Sequence, residues 1–151
     1  MLYKTLKRLD ESGDLNAERL TLNAFFSSLK DAYMQIAQRN ILMSAELLKI
    51  MQLLEKNSIE ALAFKGPTLS QMAYGDITLR QFGDLDILVD EKDAFQAAEL
   101  MSKNGHVAIL PLTILSNKTC LHTAKDFSLM STPGGVHTEL HWRLFERRYN
   151  I

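Results

Sequence analysis

An α/β fold of the α+β kind, a small mixed sheet with flanking helices behind a long N-terminal helical segment, follows from three features of this 151-residue chain. Apolar residues recur at helical spacing from Leu15 to about Lys56. Residues 84–89 and 136–142 instead alternate with the period of two that belongs to strands. Between and beyond these runs, short apolar stretches and helical stripes are punctuated by Gly, Pro and Asn. A composition of 46% hydrophobic and 23% charged residues suits a single sizeable core.

In chain order, residues 1–57 read as a helical segment and 58–151 as the core carrying the chemistry. Leu2, Leu6 and Leu9 form a first stripe before Gly13. Leu20, Leu22, Phe25, Phe26, Leu29, Tyr33, Ile36 and Ala37, then Leu42, Met43, Leu47, Ile50, Met51 and Leu54, predict one or two long amphipathic helices, with Asn57 as the stop. A strand over 60–64 runs into Lys65-Gly66-Pro67-Thr68 and a helix over 67–74. Proline suits the first helical turn, where its missing N–H costs nothing. Next come a strand over 84–89, a helix over 91–103 burying Phe95, Ala98 and Leu100 and closed by Asn104-Gly105, and a short strand near 106–110. Residues 125–130 and 136–142 flank Ser131-Thr132-Pro133-Gly134-Gly135 as a hairpin.

Three motifs on this frame carry chemistry. Asp84 and Asp86 lie at i and i+2 of a strand, so both project from one face while Leu85, Ile87 and Val89 occupy the other. Two like charges so placed repel unless a cation compensates them. Lys65 and Gly66 stand at a helix start, whose free N–H groups and positive dipole favour phosphate. His137, Glu139 and His141 share one face of the last strand, opposite Val136, Leu140 and Trp142, which read as core. Matching Phe127 and Leu129 to that apolar face puts Asp126 on the Glu139 side, as a reserve member of the polar cluster.

Lys65-Gly66, Arg80, Asp84-Leu85-Asp86-Ile87-Leu88-Val89 and Glu139-Leu140-His141-Trp142 together resemble the uncharacterised bacterial nucleotidyltransferases of the DNA polymerase β superfamily, from about Asn40 onward. The resemblance implies the polymerase β-type nucleotidyltransferase fold and transfer of a nucleoside monophosphate from a nucleoside triphosphate to a hydroxyl acceptor. It implies two magnesium ions, with manganese as a substitute, on the metal-ligating and catalytic acids Asp84, Asp86 and Glu139. Lys65 and Gly66 would hold the triphosphate, with Arg80 and His141 as further nucleotide contacts. Two departures stand out: the superfamily's usual Gly-Ser is Gly66-Pro67 here, and the gap from Gly66 to Asp84 is longer than in compact members. Arg80 has an alternative role in a salt bridge to Asp76 or Asp84.

A second reading is a transition-metal hydrolase centred on His137, Glu139 and His141, with His106 or His122 supplying another nitrogen. It leaves Asp84, Asp86 and Lys65 without a role. A third is a catalytically silent, partner-binding relative, against which retention of all three acids argues. A net charge of −1 gives no overall pull toward nucleic acid. One cysteine, Cys120, and no apolar run of membrane-spanning length lead to the expectation of a cytoplasmic protein. Dimerisation through the N-terminal helices is set against simple packing on the sheet. Residues 143–151 begin an amphipathic segment that stops without a terminator, so a fragment or a short version of a longer protein is expected, lacking the acceptor-binding part.

Overall fold

The computed structural model describes residues 4, 5, 7, 8, 19–111 and 124–145, the side chains of 19–23 excepted. In order these form α1 (Arg19–Lys56), β1 (Ala61–Ala63), α2 (Gly66–Tyr74), β2 (Asp84–Val89), α3 (Ala94–Lys103), β3 (His106–Ala108), β4 (Asp126–Ser131) and β5 (His137–His141). The architecture is the expected mixed α+β one. Leu2, Leu6, Leu9, Cys120, His122 and residues 146–151 lie outside the described residues, as do the side chains of Leu20 and Leu22.

Over the described part of the stretch expected to hold one or two long helices, Arg19–Lys56 is one helix, unbroken for 38 residues because no Gly or Pro interrupts it. Its inward seam advances in steps of three and four through Phe26, Leu29, Tyr33 and Ile36, then Asn40, Met43, Leu47, Ile50 and Leu54. Two residues expected on that seam fall outside it. Phe25 and Leu42 sit one position to the side and are 51% and 69% exposed. The helix ends where the Asn57 side-chain amide donates to Leu53 O at 2.8 Å and Ser58 takes a left-handed φ of 59°.

The five strands run in the order β1-β2-β5-β4-β3. β2 pairs parallel with β5, and the other three pairings are antiparallel, so the sheet is mixed. One face is sealed: Leu85, Ile87, Val89, Phe127, Leu129 and Leu140 meet Met43, Leu47, Ile50 and Leu54 of α1 and Ala94, Ala97, Ala98 and Met101 of α3. Each fully buried aliphatic side chain there is worth about 1.5–3 kcal/mol. Trp142 joins this core with its ring 4.4 Å from that of Phe127, as its parity predicts.

Several boundaries differ from expectation. The helix expected over 91–103 begins at Ala94, because the Asp90 carboxylate accepts from the Lys92 N–H and closes a preceding turn. Its buried stripe centres on small residues that let the helix approach the sheet, leaving Phe95 and Leu100 half-buried at the rim. The edge strands β1 and β3 have three residues each, shorter than the stretches 60–64 and 106–110. No helix among the described residues is long and apolar enough to cross a membrane.

Candidate active site

The open face of β2 and β5 carries the charges that alternation excludes from the core. Parallel pairing sets Asp84 opposite His137 and Asp86 opposite Glu139. Ligand atoms of Asp84, His137 and Glu139 lie within 4.8 Å of one another, and so do those of Asp86, Glu139 and His141. Glu139 belongs to both groups. The three acids singled out in the sequence are therefore brought together, although 47 residues, 90–136, lie between β2 and β5. Repulsion among carboxylates so close favours a bound cation.

Asp86 is the most enclosed of them, with its side chain 1% exposed, and its charge is matched by two cationic or donor groups. Lys65 Nζ donates to Asp86 Oδ1 at 2.7 Å, and His141 Nε2 donates to the same oxygen at 3.1 Å. His141 Nε2 also stands 3.2 Å from Glu139 Oε2, so the imidazole binds two acids from one nitrogen. Its ring is packed edge-on against Phe64, and the residue is 2% exposed. Lys65, by contrast, is half exposed, with its side chain open to solvent on the side away from Asp86.

Lys125 is a further cation that the sequence did not mark out. It pairs with Asp126 at 2.6 Å. Its pKa is raised, first by the hydrogen bond to Asp126 and in smaller part by the charges of Asp126, Glu139 and Asp86. Asp126 faces His141 across the hairpin, in the expected register, with its Oδ2 3.6 Å from Nδ1. The acidic face is thus flanked by an ammonium group on either side, Lys65 from the α2 start and Lys125 from the β4 start.

The turn before α2 is pressed against the beginning of β2. Gly66 has a φ of +50°, and a Cβ there would come within 3.2 Å of Asp84 O, so any side chain at this position would be strained and crowded. Pro67 occupies the first turn as expected, and the helix start has no side-chain cap. Lys65, immediately before it, reaches across to Asp86.

Arg80 lies in the loop between α2 and β2, and neither alternative ion pair forms among the described residues. Asp76 is paired instead with Lys4. Its pKa is lowered to about 2, chiefly by the Lys4 hydrogen bond and then by those from the Thr78 hydroxyl and N–H. Arg80 Nη1 is buried without a hydrogen-bond partner. The loop itself is held from α1: Asn40 Nδ2 donates to Ile77 O at 2.6 Å and Arg80 O at 2.8 Å.

Other candidates fall elsewhere. His106 is on the core side of the sheet, its Nε2 3.1 Å from Glu46 Oε1 of α1, so it cannot supplement the histidine strand. His137 and His141 fall in separate groups of ligand atoms, each with its own aspartate, which removes the geometric basis for a centre holding both. Asn40 was missed altogether. Its signal was present, a polar residue on a seam otherwise filled by Tyr33, Ala37, Met43 and Leu47.

No curated protein and no solved structure matches this chain. The model of a family described as uncharacterised nucleotidyltransferase matches residues 1–151, and with Asp84, Asp86 and Glu139 gathered on one sheet face the chain belongs to that family.

Proposed function

We propose that the protein transfers a nucleoside monophosphate from a nucleoside triphosphate to a hydroxyl acceptor, using divalent cations held on the open face of β2 and β5. The reading rests on one observation above the rest, the two ligand groups that share Glu139. Asp84, Asp86 and Glu139 are hard oxygen donors of the kind magnesium takes, and the nearby imidazoles suit manganese as well. When bound, such ions neutralise charge on the triphosphate and on the oxygens exchanged at the α-phosphorus.

The protein's own groups have distinct tasks in this scheme. Asp84 and Asp86 hold the cations from one strand, and His141 orients Asp86 through its Nε2 hydrogen bond. Glu139, with its side chain 26% exposed, is open to receive the acceptor's proton as the new oxygen–phosphorus bond forms. Pyrophosphate leaves with the electron pair of the broken bond. Lys65 exchanges its Asp86 partner for the phosphates, while the Gly66 turn lets the backbone approach them. Arg80 brings a guanidinium with an unpartnered Nη1 to the same task.

Titration with nucleoside triphosphates in the presence and absence of magnesium tests the donor. Magnesium-dependent binding supports the reading, and binding indifferent to both metal and Asp84 would overturn it. Mass spectrometry of small-molecule, peptide, protein and nucleic-acid acceptors incubated with labelled triphosphates then identifies what receives the nucleotide.

A further inference from the structure

The geometry points to Asn40 as a positioning residue for Arg80, acting from the middle of α1 on the loop that leads into β2. Asn40 is fully buried, with a relative exposure of 0%. Burying an amide on an apolar seam costs stability unless its hydrogen bonds are made. Here the nitrogen spends both hydrogens on the carbonyls of Ile77 and Arg80, three residues apart, at 2.6 and 2.8 Å, while Oδ1 is buried without a hydrogen-bond partner. A hydroxyl has one hydrogen to give and a carboxylate has none, so among side chains of this size only an amide can pin both carbonyls.

The same loop is held at two neighbouring points. Tyr33, two turns earlier on α1, places its hydroxyl 3.0 Å from Thr78 Oγ1. Lys4 binds Asp76 and reaches Thr78 Oγ1 at 3.3 Å. Asp76 in turn accepts from the Thr78 N–H and hydroxyl, which makes 76–78 a self-braced turn. The stretch between Gly75 and Gly83 has no strand or helix of its own, so these contacts take the place of secondary structure. Asn40 is the one of them that grips the Arg80 backbone itself.

The consequence is an arginine whose backbone is immobilised while its Nη1 is buried with no acceptor. A guanidinium pre-placed in this way loses less conformational freedom when it meets a phosphate oxygen. The inference rests on the reading of Arg80 as a phosphate contact.

The test is calorimetric titration of the full chain with inorganic tripolyphosphate and magnesium, which reads phosphate affinity independently of any base. Arg80→Ala should weaken binding about tenfold, the loss of one charge-assisted contact. Asn40→Ala should weaken it by nearly as much. The double variant should bind no more weakly than Arg80→Ala alone, since Asn40 acts through Arg80. Lys65→Ala, on a different element, should instead multiply with Asn40→Ala.

A merely structural role would lower melting temperature without producing this pattern. Should Asn40→Ala not fold, Asn40→Ser, which keeps one donor, should give an intermediate loss. Wild-type affinity in the Asn40 variants, or a further loss on top of Arg80→Ala, would overturn the inference. Wild-type affinity in Arg80→Ala would overturn the phosphate role of Arg80 itself.

Discussion

The two faces of the β2–β5 pair are built from the same eleven residues and have opposite chemistry. On one face Leu85, Ile87 and Leu140 are completely buried against helices; on the other, Asp84, His137 and Glu139 stand half-buried around Asp86 and His141. The first face gains free energy by excluding water. The second gathers carboxylates whose mutual repulsion is only partly relieved, by Lys65, Lys125 and His141. Strand alternation lets the sealed face hold in place an arrangement that would not assemble by itself. Stability and chemistry should therefore respond separately to substitutions one residue apart.

The largest effect belongs to the sealed face. Leu85→Ala should cost about 2–5 kcal/mol of unfolding free energy, through lost burial and a cavity, measured by urea denaturation. Lys65→Ala should cost less, about 1–2 kcal/mol, because it leaves the buried Asp86 carboxylate with His141 alone. That loss should be recovered when magnesium is added, so metal should stabilise this variant more than it does the wild type. A loss that metal does not recover would make Lys65 structural. Asp84→Asn should change metal-free stability by no more than about 0.5 kcal/mol, since it relieves repulsion and breaks no ion pair among the described residues.

A pH-dependent effect lies away from both faces, at Asp76. Its folded pKa of about 2 is below the ordinary value of 3.8, so the unfolded chain takes up the proton first as pH falls. The resulting stabilisation is complete above pH 4 and fades as pH drops toward 2. Asp76→Asn should flatten this part of the stability–pH curve in acid-unfolding experiments. An unchanged slope would remove the Lys4–Asp76 contact from the account.

What the sequence disclosed follows the same division. The strand at 84–89 was legible to the residue, because a period of two with acids on one side admits no other register. The hairpin register and the parity of Trp142 followed from matching apolar faces. The parallel pairing of β2 with β5 left no local trace, since it depends on how distant segments pack; the family resemblance supplied the expectation that Glu139 would join the aspartates. Leu42 was misplaced because a leucine beside a seam looks like a leucine on it. Asn40 was passed over for the opposite reason, as a polar residue where only apolar ones were counted. Lys65 was recognised at the helix start, but its bond to Asp86 spans 21 positions and becomes visible only in the folded chain.

The central claim, that the open face is a divalent-cation site coupled to folding, is tested most directly by melting temperature as a function of magnesium or manganese concentration. In the wild type, metal at a hundredfold excess over its dissociation constant should add about 2.7 kcal/mol, a rise of about 5–10 °C. Manganese should act at lower concentration than magnesium. The Asp84→Asn, Glu139→Gln double variant should fold and show no such rise. A wild type indifferent to both ions, or a double variant that keeps the full response, would contradict the account.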